Sequence, residues 1–204
     1  ENVAVTSGCN QAFCASISSF TSENDEVIIP TPWYFNHHMW LQMAGVKSIP
    51  LDTDANMNPI IEKAEALITD RTRAIVLVSP NNPSGAIYSN QLLQKFFDLC
   101  KSNQIRLIID ETYKDFHPNA SQPHTLLENN NWDQVLTILY SFSKTYRMTG
   151  HRIGALLTSK ENLIEIEKAL DTFTVCPPQL GQYAANWGLN NLEAWAAERR
   201  TEIL

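Results

Sequence analysis

Long apolar runs, basic stripes and regularly spaced cysteines are all missing from the sequence. No apolar run reaches the length of a membrane span, and the formal charge of −7 comes without a basic cluster. We therefore expect neither a membrane nor a nucleic acid as a partner. The scattered cysteines fit neither a CxxC metal motif nor a disulfide framework, which favours a cytoplasmic location. The adjacent His37 and His38 lack metal-ligand spacing, so no metal site is predicted.

The composition is that of an ordinary globular domain. The chain has 204 residues, of which 44% are hydrophobic and 18% charged, and it shows no internal repeat or linker-like stretch. It lacks an initiator methionine, opens on ENVAVT, which is typical of a strand, and stops at AWAAERRTEIL, which is typical of an unfinished helix. We expect one domain over residues 1–204, taken from a longer protein.

Short apolar, β-branched runs recur along the whole chain. Two of them, RAIVLVSP and IRLIID, are apolar almost throughout, which is typical of strands that are covered on both faces. The predicted strands are Asn2–Thr6, Glu26–Pro30, Val46–Leu51, Ala74–Val78, Ile105–Asp110, Val135–Ser141 and Ile153–Thr158.

Stretches with helical spacing of apolar residues lie between several of these strands. The alternation predicts an α/β fold with a mainly parallel sheet. The last strand follows the sixth after too few residues for a helical crossover, so we expect it to be antiparallel. The predicted helices are Asn10–Phe20, Phe35–Ala44, Pro59–Ile68 and Asn90–Ser102.

Polar residues that follow the strands are the candidates for a site, because ligands bind beyond the carboxyl ends of strands in such sheets. After the first strand, Gly8 permits a tight turn, and Cys9 and Asn10 open a helix whose free N–H groups can hold a phosphate. After the second strand, Tyr34 offers a flat face to an aromatic ring. Each feature alone also suits an ordinary turn or aromatic packing in the core.

The fourth and fifth strands end in polar groups of complementary kinds. The turn SPNNPSG is rigid, and the amide of Asn82 can donate to a ligand oxygen. Asp110 closes an apolar run, so we expect a partly buried carboxylate that needs a partner such as a cationic nitrogen. Tyr113 would reach the same pocket from the next turn. A purely structural turn and a turn-capping aspartate are the alternatives.

The segment YSFSKTYRMTGHRIG follows the sixth strand. Lys144 among apolar neighbours would have its charged form disfavoured, which makes an amine a better nucleophile and base; the alternative is a solvated surface lysine. Ser141 and Arg152 offer a hydroxyl and a fork of donors that suit a phosphate. Together, the strand ends supply the contacts that pyridoxal 5′-phosphate needs, with the lysine as a Schiff base and the aspartate on the ring nitrogen.

At this point the chain resembles the class I and II aminotransferases, which are pyridoxal-phosphate enzymes of fold type I. NNPSG resembles their Asn-Pro-[Thr/Ser]-Gly turn, DETYKDF their Asp-Glu-x-Tyr segment, and SFSKTYRMTGHRIG their lysine signature, in the same order. The resemblance implies a three-layer α/β/α fold with a mainly parallel seven-stranded sheet. It also implies that residues 1–204 are the large cofactor-binding domain, without the N-terminal segment and the C-terminal small domain.

The resemblance further implies a role for each motif residue. Lys144 would be the catalytic residue that holds the cofactor as a Schiff base and moves a proton at the substrate Cα. Asp110 would keep the pyridine nitrogen protonated, Asn82 and Tyr113 would bond the phenolate oxygen, and Tyr34 would stack on the ring. A cis bond is expected before Pro83. The phosphate would be held by Gly8, Cys9, Asn10, Ser141 and Arg152.

The same resemblance implies partners and one departure from the family. The substrates would be an amino acid and a 2-oxo acid, in amino acid metabolism, and the full-length protein would be a homodimer. His151 stands where members carry tryptophan or another large residue, and no function is assigned to it. The arginine that usually grips the substrate α-carboxylate would lie in the small domain, beyond Leu204.

Two other functions use the same motifs. A pyridoxal-phosphate-dependent carbon–sulfur lyase, or a related elimination enzyme, would begin with the same proton removal at Cα. An aminotransferase-like regulatory domain fused to a DNA-binding segment would sense the cofactor without catalysis. The sequence does not identify the amino acid used.

Overall fold

A single mixed sheet forms the centre of the protein. The computed structural model describes residues 2–119 and 122–204. Within them, the sheet has the strand order β1-β7-β6-β5-β4-β2-β3, in which β2 to β6 pair in parallel and β7 is antiparallel to both of its neighbours. The strands are β1 (Val3–Thr6), β2 (Glu26–Pro30), β3 (Lys47–Leu51), β4 (Thr72–Val78), β5 (Arg106–Asp110), β6 (Leu136–Ser141) and β7 (Gly154–Leu157).

Each predicted strand corresponds to one of these strands and differs from it only at its ends. The antiparallel direction predicted for the last strand is confirmed. The prediction succeeds because β4 and β5 are buried on both faces, so their sequences are apolar without a gap.

Helices cover both faces of the sheet, and further helices follow at the end of the chain. The four predicted helices are all present, and so is the helix expected at AWAAERRTEIL. Two helices that were not predicted precede it in the last quarter of the chain. Within the described residues, no helix combines the length and the apolarity needed to cross a bilayer. The helices are α1 (Cys9–Phe20), α2 (Phe35–Met43), α3 (Ile61–Leu67), α4 (Asn90–Ser102), α5 (Lys160–Phe173), α6 (Gln179–Asn191) and α7 (Glu193–Ile203).

Alternate side chains of each central strand enter different cores. In β4, Ile75 and Leu77 pack with α3 and α4, whereas Ala74 and Val76 pack with α1, α2 and α5. Both cores consist of buried aliphatic and aromatic residues, and burying them supplies the main driving force for folding. The layers confirm the three-layer α/β/α arrangement.

A third, smaller core lies outside the sheet. It joins α6 to the loop between β6 and β7 through Phe142, Met148, Ile153 and Ala185. The contact is close because α6 presents glycine there: a Cβ added at Gly181 would fall 2.6 Å from Ile153 Cγ1. The loop that carries Lys144 is therefore supported from behind by a helix.

Candidate active site

The carboxyl ends of the strands surround a cavity of about 170 Å³. All the predicted site residues except Gly8 line it, and Gly8 borders it, because a Cβ added there would fall 2.2 Å from Arg152 Nη2. The structure thus brings the motif residues together, while the role of each stays a prediction. The predicted residues that line the cavity are Cys9, Asn10, Tyr34, Asn82, Asp110, Tyr113, Ser141, Lys144 and Arg152.

The reversed direction of β7 brings Arg152 to this edge. Gly154, the first residue of β7, pairs with Thr6 at the end of β1 and with Ser141 at the end of β6. A Cβ at Gly154 would lie 2.6 Å from Gly8 C and 2.7 Å from Cys9 N. Because backbone atoms cannot give way as side chains do, only glycine allows β7 to begin against the turn before α1.

An anion cradle forms at the start of α1. The N-cap Gly8 has a φ of 88°, no side chain caps the helix, and its first turn holds no acidic residue. Arg152 reaches over this turn, donating from Nη1 to Thr149 O (2.8 Å) and from Nη2 to Ser7 O (3.5 Å). Uncapped N–H groups, a guanidinium and the Ser141 hydroxyl suit a phosphate.

Asp110 is a buried carboxylate with two polar neighbours. Its Oδ1 accepts a hydrogen bond from Thr112 N (2.9 Å), and its Oδ2 lies 3.2 Å from His37 Nε2. The imidazole is not aligned for a good hydrogen bond, so this contact is chiefly electrostatic. Burial raises the pKa of Asp110, but the contacts with His37 and Thr112 outweigh it, and the pKa lies below its ordinary value. The carboxylate is therefore anionic at neutral pH.

His37 is a site residue that the motifs did not identify. It is 3% exposed, stacks on Phe13 with ring centroids 4.0 Å apart, and meets Tyr34 edge to face. The available signal was spacing: His37 lies one helical turn before the buried Leu41, so it is on the inner face of α2. The partner predicted for Asp110 from the sequence was the ring nitrogen of the cofactor, not His37.

Cys9 gives the floor of the cavity a neutral thiol. Burial, and then the charge of Asp110, raise the pKa of the Cys9 thiol well above its ordinary value. The side chain therefore packs as a small apolar group, which is compatible with the predicted use of its backbone N–H.

The adjacent residues Asn81 and Asn82 have different roles, one in the turn and one at the cavity. Asn81 Oδ1 accepts hydrogen bonds from Ser84 N (3.1 Å) and Ser84 Oγ (2.7 Å), which closes the turn. Asn82 lines the cavity. The Asn82–Pro83 bond is cis, as predicted.

The prediction that Lys144 lies among apolar neighbours is wrong. The side chain is exposed, and its cavity neighbours Ser143 and Thr149 are polar, because Lys144 lies on a loop beyond the edge of the sheet. Its Nζ lies 5.8 Å from the centroid of the Tyr113 ring. The side chain of Lys144 is therefore not buried among apolar groups in the structure.

A second cavity of about 590 Å³ adjoins the first. Lys144, Asn82 and Tyr113 line both. The larger cavity adds Arg147 and the apolar end of α7. Lys144 thus stands between a small polar cavity and a larger, more apolar one that opens outward.

A known protein family matches the whole chain. The family described as aminotransferase class I and II matches residues 1–204, so the chain belongs to this family. Its members depend on pyridoxal 5′-phosphate. The resemblance seen in the motifs is confirmed.

Individual relatives agree with this membership. The aromatic aminotransferase ISS1 of Arabidopsis thaliana is 31% identical over 206 residues, covering 97% of this chain and 51% of the relative. An aspartate aminotransferase of Thermotoga maritima is 29% identical over 187 residues, covering 91% and 49%. The crystal structure of an aromatic aminotransferase from Pyrococcus horikoshii matches with a TM-score of 0.90 at 28% identity, covering 98% and 55%. The chain spans about half the length of these relatives.

The groups around the small cavity fit this cofactor. An anionic carboxylate at one end suits a protonated ring nitrogen, and an anion cradle at the other suits a phosphate. An amine, an amide and a phenol line the same cavity at Lys144, Asn82 and Tyr113. The cavity therefore offers a suitable group for each polar part of pyridoxal phosphate.

Proposed function

We propose that the protein is a pyridoxal-phosphate-dependent aminotransferase that moves an amino group from an amino acid to a 2-oxo acid. The observation that carries the proposal is the meeting of Lys144, the anionic Asp110 and the phosphate cradle in one cavity. Membership of the family supports it, and so do relatives named as aromatic and aspartate aminotransferases.

When bound, pyridoxal phosphate supplies a ring that accepts the electron pair released at the substrate Cα. The chain would hold it through a covalent bond to Lys144 Nζ, with Asp110 facing the ring nitrogen. His37 would keep Asp110 charged during turnover. The Nζ of Lys144 would also be the base that takes a proton from the substrate Cα and later donates it back.

The remaining cavity residues would orient the cofactor. Tyr34 would lie against the ring, and Asn82 and Tyr113 would donate to its phenolate oxygen. The phosphate would be held by backbone N–H groups of Cys9 and Asn10 after the Gly8 turn, by Ser141 and by Arg152.

The larger cavity is the proposed entry for both substrates. It opens next to Lys144, and its apolar lining suits the side chain of an amino acid. Arg147 also lines it, and among the described residues no carboxylate pairs with this cation. An acidic group on the substrate would therefore pair with the Arg147 guanidinium, which lies over the Trp195 ring at 5.6 Å from its centroid.

We also propose that residues 1–204 form the large domain of a longer chain that works as a homodimer. Relatives of about twice this length support the first part. The second is supported by α6, which buries Gly181, Ala185 and Gly188 and turns Leu180, Tyr183 and Trp187 outward. An exposed apolar stripe of this kind is typical of an interface.

The test uses the full-length protein with added pyridoxal phosphate. We expect a new absorbance band and, after borohydride reduction, a mass increase located on Lys144. The variant Lys144→Ala should lose both signals, whereas Lys47→Ala, an exposed lysine at the start of β3, should keep them.

Substrate turnover then separates the candidate reactions. An amino acid should change the spectrum, and a 2-oxo acid should reverse the change. Release of ammonia and pyruvate instead would favour a lyase. A wild-type protein that gains no mass on reduction would contradict the proposal.

A further inference from the structure

Asp115 is a carboxylate that lines neither cavity yet connects the segments that form them. Its Oδ2 accepts hydrogen bonds from Tyr140 Oη (2.5 Å) and Thr145 Oγ1 (2.9 Å). Its Oδ1 faces Lys114 Nζ at 3.3 Å. Both oxygens are therefore occupied, and the side chain is only 19% exposed.

The partners of Asp115 lie next to the predicted active-site residues. Thr145 follows Lys144 and is 4% exposed. Tyr140 precedes Ser141, and Asp115 itself lies two residues after Tyr113, in the 3-10 turn Lys114–Phe116. One carboxylate oxygen thus fixes the Tyr113 turn to both ends of the segment that presents Lys144.

This connection matters because the structure shows no polar contact that holds the Lys144 side chain itself within the described residues. Within residues 2–119 and 122–204, its Nζ has neither a hydrogen bond nor an ion pair, and its nearest ring, Tyr113, is 5.8 Å away. Its position is set by the backbone beneath it, where Arg147 N donates to Lys144 O (3.2 Å) and Thr145 is bound to Asp115.

The hydrogen bonds to Asp115 are of the strong kind. A charged acceptor makes them roughly twice as strong as bonds between neutral groups. Burial, and then the charge of Asp115, raise the pKa of Tyr140, so the phenol stays a donor. Arg200 Nη1 on α7 also donates to Asp115 O (3.4 Å), which connects the turn to α7 as well.

We propose that Asp115 is a positioning residue that, through Thr145, sets the place of Lys144 relative to Tyr113. It thereby sets the rate at which the Lys144 amine condenses with the aldehyde of pyridoxal phosphate, forming a C=N bond and releasing the aldehyde oxygen as water. This inference rests on the proposed function. It goes beyond it because Asp115 touches neither the cofactor nor the substrate.

The experiment measures capture of pyridoxal phosphate by full-length apoprotein, by stopped-flow absorbance and by the mass of the borohydride-trapped product. Thr145→Val removes the hydroxyl at nearly constant shape, and we expect capture to slow about tenfold, as the loss of one charge-assisted hydrogen bond implies. Thr145→Ser keeps the hydroxyl and should stay within about twofold of wild type.

Two further variants connect the effect to Asp115. Asp115→Asn should slow capture, because an amide oxygen is a weaker acceptor than a carboxylate. The double variant with Thr145→Val should be less slow than the product of the two single effects, because both changes act on the same contact. Asp52→Asn is the matched control, since Asp52 also pairs with a lysine (2.7 Å) but on the exposed surface. Thermal melting without cofactor shows that each variant is folded.

The outcomes are distinct. Equal rates for Thr145→Val and wild type would overturn the inference, and so would equal slowing by Thr145→Val and Thr145→Ser, or additive effects in the double variant. A wild-type protein that captures no cofactor would overturn the proposed function and the inference together. If Asp115→Asn does not fold, the two Thr145 variants decide alone.

Discussion

At the scale of single residues, the contact between Asp110 and His37 decides the charge at the deep end of the cavity. Burial alone would favour a protonated carboxyl, which could not pair with a protonated ring nitrogen. His37 reverses this preference from a position that α2 fixes by stacking it on Phe13.

Replacing His37 with phenylalanine should preserve the stacking and remove one of the two polar neighbours of Asp110. We expect a loss of about 2–4 kcal/mol in the free energy of unfolding at neutral pH, because the buried charge then keeps only the hydrogen bond from Thr112 N. Urea denaturation of apoprotein measures it. His38→Phe is the matched control: His38 also stacks on an aromatic ring, Trp33, but contacts Ser48 instead of a carboxylate.

The loss should depend on pH with a definite sign. Because the folded-state pKa of Asp110 is below its unfolded value of about 3.9, its pairing stabilises the protein above that pH and ceases to do so as the pH falls through the folded pKa. The difference between wild type and His37→Phe should thus shrink below about pH 4. A difference that is constant with pH would contradict this account.

At the scale of elements, the junction of β7 with the turn before α1 is the tightest part of the site. We expect Gly154→Ala to cost at least about 2 kcal/mol, since the added methyl meets backbone atoms that cannot move independently. The affinity for pyridoxal phosphate should fall as well, because the anion cradle lies at the same junction.

Gly150→Ala provides the control for this substitution. Gly150 lies in the same loop, and a Cβ there would have nothing within 4 Å. We expect stability within about 0.5 kcal/mol of wild type. Chemical denaturation measures the free energy of unfolding of both variants. A Gly154→Ala variant that is as stable as Gly150→Ala would contradict the prediction.

The elements also show how far the sequence alone could lead. Unbroken apolar runs predicted β4 and β5, and turn residues predicted the strand ends, because local sequence and burial agree there. No helix was predicted for residues 179–191, since α6 buries glycine and alanine and exposes its large residues, the reverse of the usual pattern. Spacing could have placed His37 on the inner face of α2, but its contact with Asp110 and the exposure of Lys144 depend on segments distant in sequence, which spacing cannot reveal.

At the scale of the whole molecule, α6 exposes an apolar stripe, Leu180, Tyr183 and Trp187, that a partner subunit would cover. We expect the double variant Leu180→Glu/Trp187→Glu to convert a full-length homodimer to monomer, because charges would replace the exposed apolar stripe. Size-exclusion chromatography with light scattering measures the mass. Ile164→Glu, on the exposed face of α5, should remain dimeric; a double variant that stays dimeric would place the interface elsewhere.

The reversal of β7 has a consequence for how such a protein can evolve. The chain leaves the sheet at Ser141 and re-enters it beside the same residue at Gly154, so one short hairpin-like excursion contributes both the amine and the guanidinium. An exchange of gene segments with a crossover anywhere outside 141–154 transfers Lys144 and Arg152 together. Their spacing is thereby inherited as a single unit, while the loops around them remain free to diverge.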